Sequence, residues 1–126
     1  MTGKHLLIDA FDCDLEKINN KKRVRAFLDN LVTEIGMKRL SKVYAYRAVK
    51  GEPDGVTAFV VITTSHISIH TFVPTEHFWL DVFSCRDFNE KKVLKLVMGE
   101  FDVKEENINY QIVKRKSKNG RNKLNV

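Results

Sequence analysis

Cysteine is scarce in this chain of 126 residues: Cys13 and Cys85 are its only two. They form no C-x-x-C pair, which excludes a zinc-ribbon or thioredoxin-like motif. Two separated cysteines in a reducing compartment are expected as free thiols. Long hydrophobic runs are missing too. No stretch approaches the roughly 20 apolar residues of a membrane-spanning helix. The opening Met-Thr-Gly-Lys-His runs into a strand pattern without the apolar segment of a secretory signal. A cytoplasmic chain with no membrane partner is expected. Acidic residues stop as well: from Asn107 onward there is no Asp or Glu, while Lys114, Arg115, Lys116, Lys118, Arg121 and Lys123 follow. The net charge of +6 therefore belongs to this end, because the rest of the chain balances 16 acidic groups with as many basic ones. No aromatic residue is interleaved among these cations, so the segment reads as a solvated terminus and nucleic acid is not an expected partner. The sequence divides into one domain over residues 1–116 and a basic tail over 117–126.

What the chain does contain is an ordinary globular balance, 43% hydrophobic and 30% charged. His5 to Cys13 reads as a strand. Val24, Phe27, Leu28, Leu31 and Ile35 recur at helical spacing, which predicts an amphipathic helix over Lys21 to Met37. Strands follow over Lys42 to Val49, Val56 to Ile62, Ile67 to Phe72 and Phe78 to Cys85. A turn is expected at Lys50 to Gly55, and an irregular break near Thr63 to His66. Asp87 reads as a helix N-cap with Glu90 three residues on, and Val93, Leu94, Leu96, Val97 and Phe101 mark the helix. Ile108 to Val113 is the last strand. The order is β-α-β-β and then β-α-β, two halves of similar topology. Short turns between strands predict an α+β fold, a two-layer sandwich with an antiparallel sheet and two helices on one face.

Alternation along the strands says what the other face carries. Ile67 and Ile69 point one way, Ser68, His70 and Phe72 the other. Leu80 and Val82 point one way, Trp79, Asp81, Phe83 and Cys85 the other. If the aliphatic face meets the helices, the opposite face is rich in aromatic groups, and such a patch marks an interface. A second sheet from another copy is the simplest cover, which predicts a sheet-to-sheet homodimer.

The segment Thr63-Thr64-Ser65-His66-Ile67-Ser68-Ile69-His70-Thr71-Phe72 carries candidate chemistry. A hydroxyl residue sits at a strand break, a histidine follows it, and Cys85 ends the next strand. His66 and His70 are poor partners for one metal ion, because i and i+4 on a strand lie about 13 Å apart. From Ser65 through Thr71 the stretch resembles the processing-site motif of the prokaryotic S-adenosylmethionine decarboxylases, roughly Glu-Ser-His-x-Ser/Thr-Ile-His-Thr-Trp-Pro-Glu. Leu80 to Cys85 is similar to that family's Asp-x-Phe-Thr-Cys segment, and Gly55-Val56-Thr57 to its Gly-Val-Ser. Gly3-Lys4-His5-Leu6 with Cys13 also fits, and the resemblance runs over about residues 3–113.

The resemblance implies a chain that cleaves itself between Thr64 and Ser65, turning Ser65 into a pyruvoyl cofactor whose carbonyl forms a Schiff base with the substrate amine. It implies that His70 assists processing, that Thr57 stands where the family has a second processing serine, and that Cys85 returns a proton to the substrate carbon. Phe72 replaces the family's Trp and keeps an aromatic surface for substrate. Thr64 replaces a Glu. Pro74 replaces the family's ribose-binding Glu, with Glu76 two residues later as a stand-in. The stretch Ala48-Val49-Lys50 lacks the aromatic that stacks on adenine. The expected activity is decarboxylation of S-adenosylmethionine in polyamine (spermidine) synthesis. Two alternatives stay open: a pyruvoyl decarboxylase of arginine or ornithine, and an uncleaved homologue acting as a binding or regulatory subunit.

Overall fold

The computed structural model describes residues 3–63, 65–122 and 124. Six strands form one sheet: β1 (Gly3–Ala10), β2 (Tyr44–Arg47), β3 (Val56–Ile62), β4 (Ser65–Phe72), β5 (His77–Ser84) and β6 (Ile108–Arg115). Their spatial order is β2-β3-β4-β5-β1-β6, and every neighbouring pair is antiparallel. A short helix α1 (Leu15–Ile18) precedes the two main helices, α2 (Lys21–Glu34) and α3 (Glu90–Phe101). This is the antiparallel α+β arrangement expected from the pattern of strands and helices.

The helices form where apolar residues recur at helical spacing and a side chain caps the first turn. Asn20 caps α2 by accepting from the Arg23 N–H, and Val24, Phe27, Leu28, Leu31 and Val32 form its buried stripe. The helix ends at Glu34, short of Met37, because the chain turns through Gly36 at a φ of +74°, a conformation that glycine adopts without strain. In α3 the cap is Asn89, whose side chain accepts from the Lys92 N–H. Asp87 is not the cap: its carboxylate lies 2.6 Å from Lys4 Nζ, a partner far away in sequence. Strand β1 stops at Ala10, before Cys13. Asp12 follows at a φ of +52° and Asp14 caps α1. Strand β2 is likewise shorter than the apolar pattern suggests. Strand β4 begins earlier than expected, at Ser65, which pairs with Ile62.

Both main helices cover one face. Phe101 of α3 packs edge-on against Phe27 of α2 and against Phe78 of β5, each at 4.9 Å between ring centres. Leu6, Ile8, Ile67, Ile69, Leu80 and Val82 complete this core and are fully buried or nearly so. Each such side chain contributes about 1.5–3 kcal/mol through burial. The opposite face has no such layer. One row runs straight across it, Tyr46–Thr57–His70–Trp79–Asp9–Asn109. Trp79 is 47% exposed on it, and Tyr46, Phe59 and Val61 are also exposed.

Candidate active site

The sequence-predicted residues fall into two groups at two places on β4. The first group sits where β4 begins. Ser65 opposes Ile62 on one side, and its Oγ accepts a hydrogen bond of 3.0 Å from the backbone N–H of Cys85 on the other. Cys85 follows directly on β5, which ends at Ser84. The serine hydroxyl and the cysteine backbone are therefore in contact, although twenty residues separate them in sequence. Thr64 lies outside the described residues.

The second group sits toward the other end of the strand. Thr57 and His70 are cross-strand partners in register, and Thr57 Oγ1 lies 3.0 Å from His70 Nδ1. Strand alternation puts His70 on the bare face and Ser65 in the row of Ile67 and Ile69, which faces the helices. Five residues of strand at about 3.3 Å each set Ser65 and His70 roughly 16 Å apart. Within one chain the structure does not bring them together.

A cavity of about 250 Å³ opens beside His70, lined by Ala48, Val49, Glu52, Pro53, Thr57 and Phe72 among others. Its floor needs a glycine: a Cβ on Gly55 would sit 1.8 Å from the carbonyl oxygen of Thr71. Thr71 is pinned there, because its hydroxyl accepts from the Val56 N–H and donates to the Ile18 carbonyl, both at 2.9 Å. Phe72 stacks on His77 at 4.7 Å with ring planes 17° apart, and Trp79 lies 4.6 Å from Phe72. His77 was not among the residues singled out from sequence; only its place across from Phe72 in the β4–β5 register reveals it.

Glu76 has left-handed backbone geometry, with a φ of +55°. Its carbonyl accepts from the Cys13 N–H at 2.8 Å. Burial pushes the Cys13 thiol up to about 12, and the Asp12 and Glu76 carboxylates push the same way. Glu76 does not line the cavity beside His70. Cys13 and Cys85 form no disulfide; Cys13 is buried and Cys85 half-buried. Among the described residues no group of three or more His, Cys, Asp or Glu is placed to hold a metal ion. No described helix is long and apolar enough to cross a membrane.

A second residue missed from sequence is Lys4. It lies on the core side of β1, only 7% exposed, with Nζ 2.9 Å from Glu90 and 2.5 Å from the carbonyl oxygen of Phe88. The available signal was one lysine in the inward-facing row of an apolar strand.

An antiparallel sheet backed on one face by helices is the architecture of a known class. The solved adenosylmethionine decarboxylase from Aquifex aeolicus VF5 superposes with a TM-score of 0.77 at 26% identity, covering 97% of each chain. The sequence profile of S-adenosylmethionine decarboxylase matches residues 4–116. The chain belongs to the S-adenosylmethionine decarboxylase family. It is 34% identical over 87 residues to an S-adenosylmethionine decarboxylase proenzyme of a Synechococcus strain, 69% of this chain and 65% of that one. A proenzyme of the same name from Methanococcus aeolicus is 34% identical over 83 residues, covering 66% of this chain and 68% of its own. One from Clostridium botulinum is 27% identical over 110 residues and is covered over 91% of its length.

Proposed function

We propose that this chain is a self-processing decarboxylase of S-adenosylmethionine that supplies polyamine synthesis in the cytoplasm, working as a homodimer. The observation that carries the reading is the Ser65 hydroxyl, held at the first residue of β4 by the Cys85 N–H. In self-processing the Ser65 Oγ bonds to the carbonyl carbon of residue 64, the C–N bond of the amide breaks, and the hydroxyl proton passes to the Ser65 nitrogen. The Ser65 Cα proton then leaves, the Cβ–Oγ bond breaks, and residues 1–64 depart with a carboxylate end. Water replaces the nitrogen as ammonia and leaves a pyruvoyl group at the start of 65–126. That group supplies a carbonyl that takes up the electron pair when CO₂ leaves.

The chain's own residues handle the protons. Thr57 fixes the His70 ring, which suits it to take up a proton during processing. Cys85, beside Ser65, holds a proton for the substrate carbon. Phe72, in the wall of the cavity beside His70, offers the substrate an aromatic surface. His70 lies too far from Ser65 in the same chain, so a second copy must bring its own His70 and Thr57 to Ser65. Sheet-to-sheet packing of the bare faces covers Trp79 and Phe59.

Three features favour a second substrate reading. Pro74 stands where the family's ribose-binding Glu is expected, Glu76 does not line the cavity beside His70, and that cavity has aliphatic Ala48 and Val49 rather than an adenine-stacking ring. Arginine or ornithine needs none of those contacts. The test has two parts. Intact mass should show fragments 1–64 and 65–126, the second with a blocked N-terminus; a single species of 14.6 kDa would overturn self-processing. CO₂ release from S-adenosylmethionine, arginine and ornithine side by side then selects the substrate.

A further inference from the structure

Lys4 is the most deeply buried charged side chain among the described residues, and each of its polar contacts goes to the segment just after Cys85. Its Nζ reaches the Phe88 carbonyl at 2.5 Å, Asp87 at 2.6 Å and Glu90 at 2.9 Å, and it lies 4.4 Å from the centre of the Phe88 ring. A buried ammonium is costly unless paired, and here three acceptors satisfy its three protons. In the sheet Lys4 is the direct partner of Ser84. The Ser84 hydroxyl accepts from the Arg86 N–H at 2.9 Å, and the Cys85 N–H between them donates to Ser65. Residues 85–89 belong to no helix or strand. The lysine is the tie between this irregular stretch and the rigid sheet.

The geometry points to Lys4 as the positioning residue for self-cleavage, acting through the Cys85 N–H to hold the Ser65 hydroxyl at the scissile peptide. This rests on the self-processing reading above. The ammonium anchors 87–90, the anchored turn fixes the direction of the Cys85 N–H, and that N–H fixes Ser65 Oγ. The bond made is Oγ to carbonyl carbon and the bond broken is the amide C–N, as already set out; Lys4 exchanges no proton in it. A misplacement of about 1 Å in such a reacting pair costs on the order of a hundredfold in rate. The cleft of about 340 Å³ bordered by Lys4, Cys85, Arg86 and Lys114 means that loosening this turn also opens Cys85 to solvent.

The experiment follows self-cleavage of freshly made protein by intact mass, with hydroxylamine added in parallel to split any ester formed at Ser65. Lys4→Met, which keeps the aliphatic stem, should cleave at least tenfold more slowly and give little hydroxylamine-sensitive ester. Lys4→Arg should restore the rate to within about threefold, because its guanidinium also donates to these acceptors. Asp87→Asn, which alters only an exposed side chain, should slow cleavage about threefold without touching the core. Wild-type rates in both Lys4→Met and Asp87→Asn would overturn the assignment, as would an equal loss in Lys4→Met and Lys4→Arg proteins that melt cooperatively. Iodoacetamide labelling separates this inference from the reading beneath it. Cys85 should be alkylated several-fold faster in Lys4→Met, with buried Cys13 as the silent reference. If wild-type protein never cleaves, the decarboxylase reading fails, and equal Cys85 labelling in the two proteins would overturn the positioning role as well.

Discussion

Thr57 and His70 face each other across β3 and β4, with the threonine hydroxyl 3.0 Å from His70 Nδ1. A hydroxyl at that nitrogen fixes the ring's orientation and leaves Nε2 to meet a reacting group. Replacing Thr57 with Ser keeps the hydroxyl and should leave self-cleavage within a few-fold of wild type. Thr57→Val keeps the shape and removes the hydroxyl, so it should slow cleavage about tenfold. His70→Ala should slow it by about 10²–10⁴, the usual range for a general acid–base group. Cleavage half-lives from intact mass rank the three, and a Thr57→Val protein as fast as Thr57→Ser would remove the hydroxyl from the process.

The separation of His70 from Ser65 in one chain gives a sharper test. His70→Ala keeps a Ser65 ready to be cleaved, and Ser65→Ala keeps an intact His70. Neither should cleave alone. Co-folded with Ser65→Ala protein, the His70→Ala chain should split, because a mixed dimer contains one complete site. If the mixture stays uncut although mixed dimers have formed, the histidine acts within its own chain.

The two faces of the sheet were legible in the sequence because strand side chains alternate strictly: Ile67 and Ile69 inward, His70 and Phe72 outward. The Ser65 and Cys85 pairing was legible only as a spacing. Its actual form, a backbone N–H on a hydroxyl oxygen, depends on β4 starting at Ser65, two residues before the apolar pattern begins. Asp87 misled as an N-cap for a tertiary reason. Local pattern makes it as good a cap as Asn89, but Lys4 claims its carboxylate from the far end of the chain. Helix α1 was too short for any periodicity to register; only the Asp14 cap marks it.

The bare face predicts assembly. Trp79 lies in the row that includes His70 and is 47% exposed in a single chain. Stacking two such faces buries it, and a lysine in its place would bring an unpaired charge into that interface. Trp79→Lys should shift the sedimentation profile from dimer toward monomer. A wild-type protein that sediments as a monomer at micromolar concentration would remove the homodimer from the proposal.

The Lys4 cluster also predicts a pH dependence of stability. The hydrogen bond from Lys4 holds the Asp87 carboxyl below its ordinary 3.8 and the Glu90 carboxyl below its ordinary 4.5. Burial pulls the Lys4 ammonium down, and its bonds to Asp87 and Glu90 outweigh this and leave it above its ordinary 10.5. A carboxylate whose folded pKa is depressed stabilises the fold above its unfolded pKa and loses that contribution as pH falls through the folded one. An ammonium whose folded pKa is raised stabilises below its unfolded pKa and loses that contribution as pH rises through the folded one. The cluster therefore contributes fully between about 4.5 and 10.5 and fades on both sides. Urea unfolding of wild-type and Lys4→Met protein across this range should show the largest gap near neutrality, narrowing as the medium turns acidic enough to protonate Asp87 and Glu90. A gap that stays constant into that acid range would show that Lys4 stabilises through its packed stem and its bond to the Phe88 carbonyl, with no contribution from the two carboxylates.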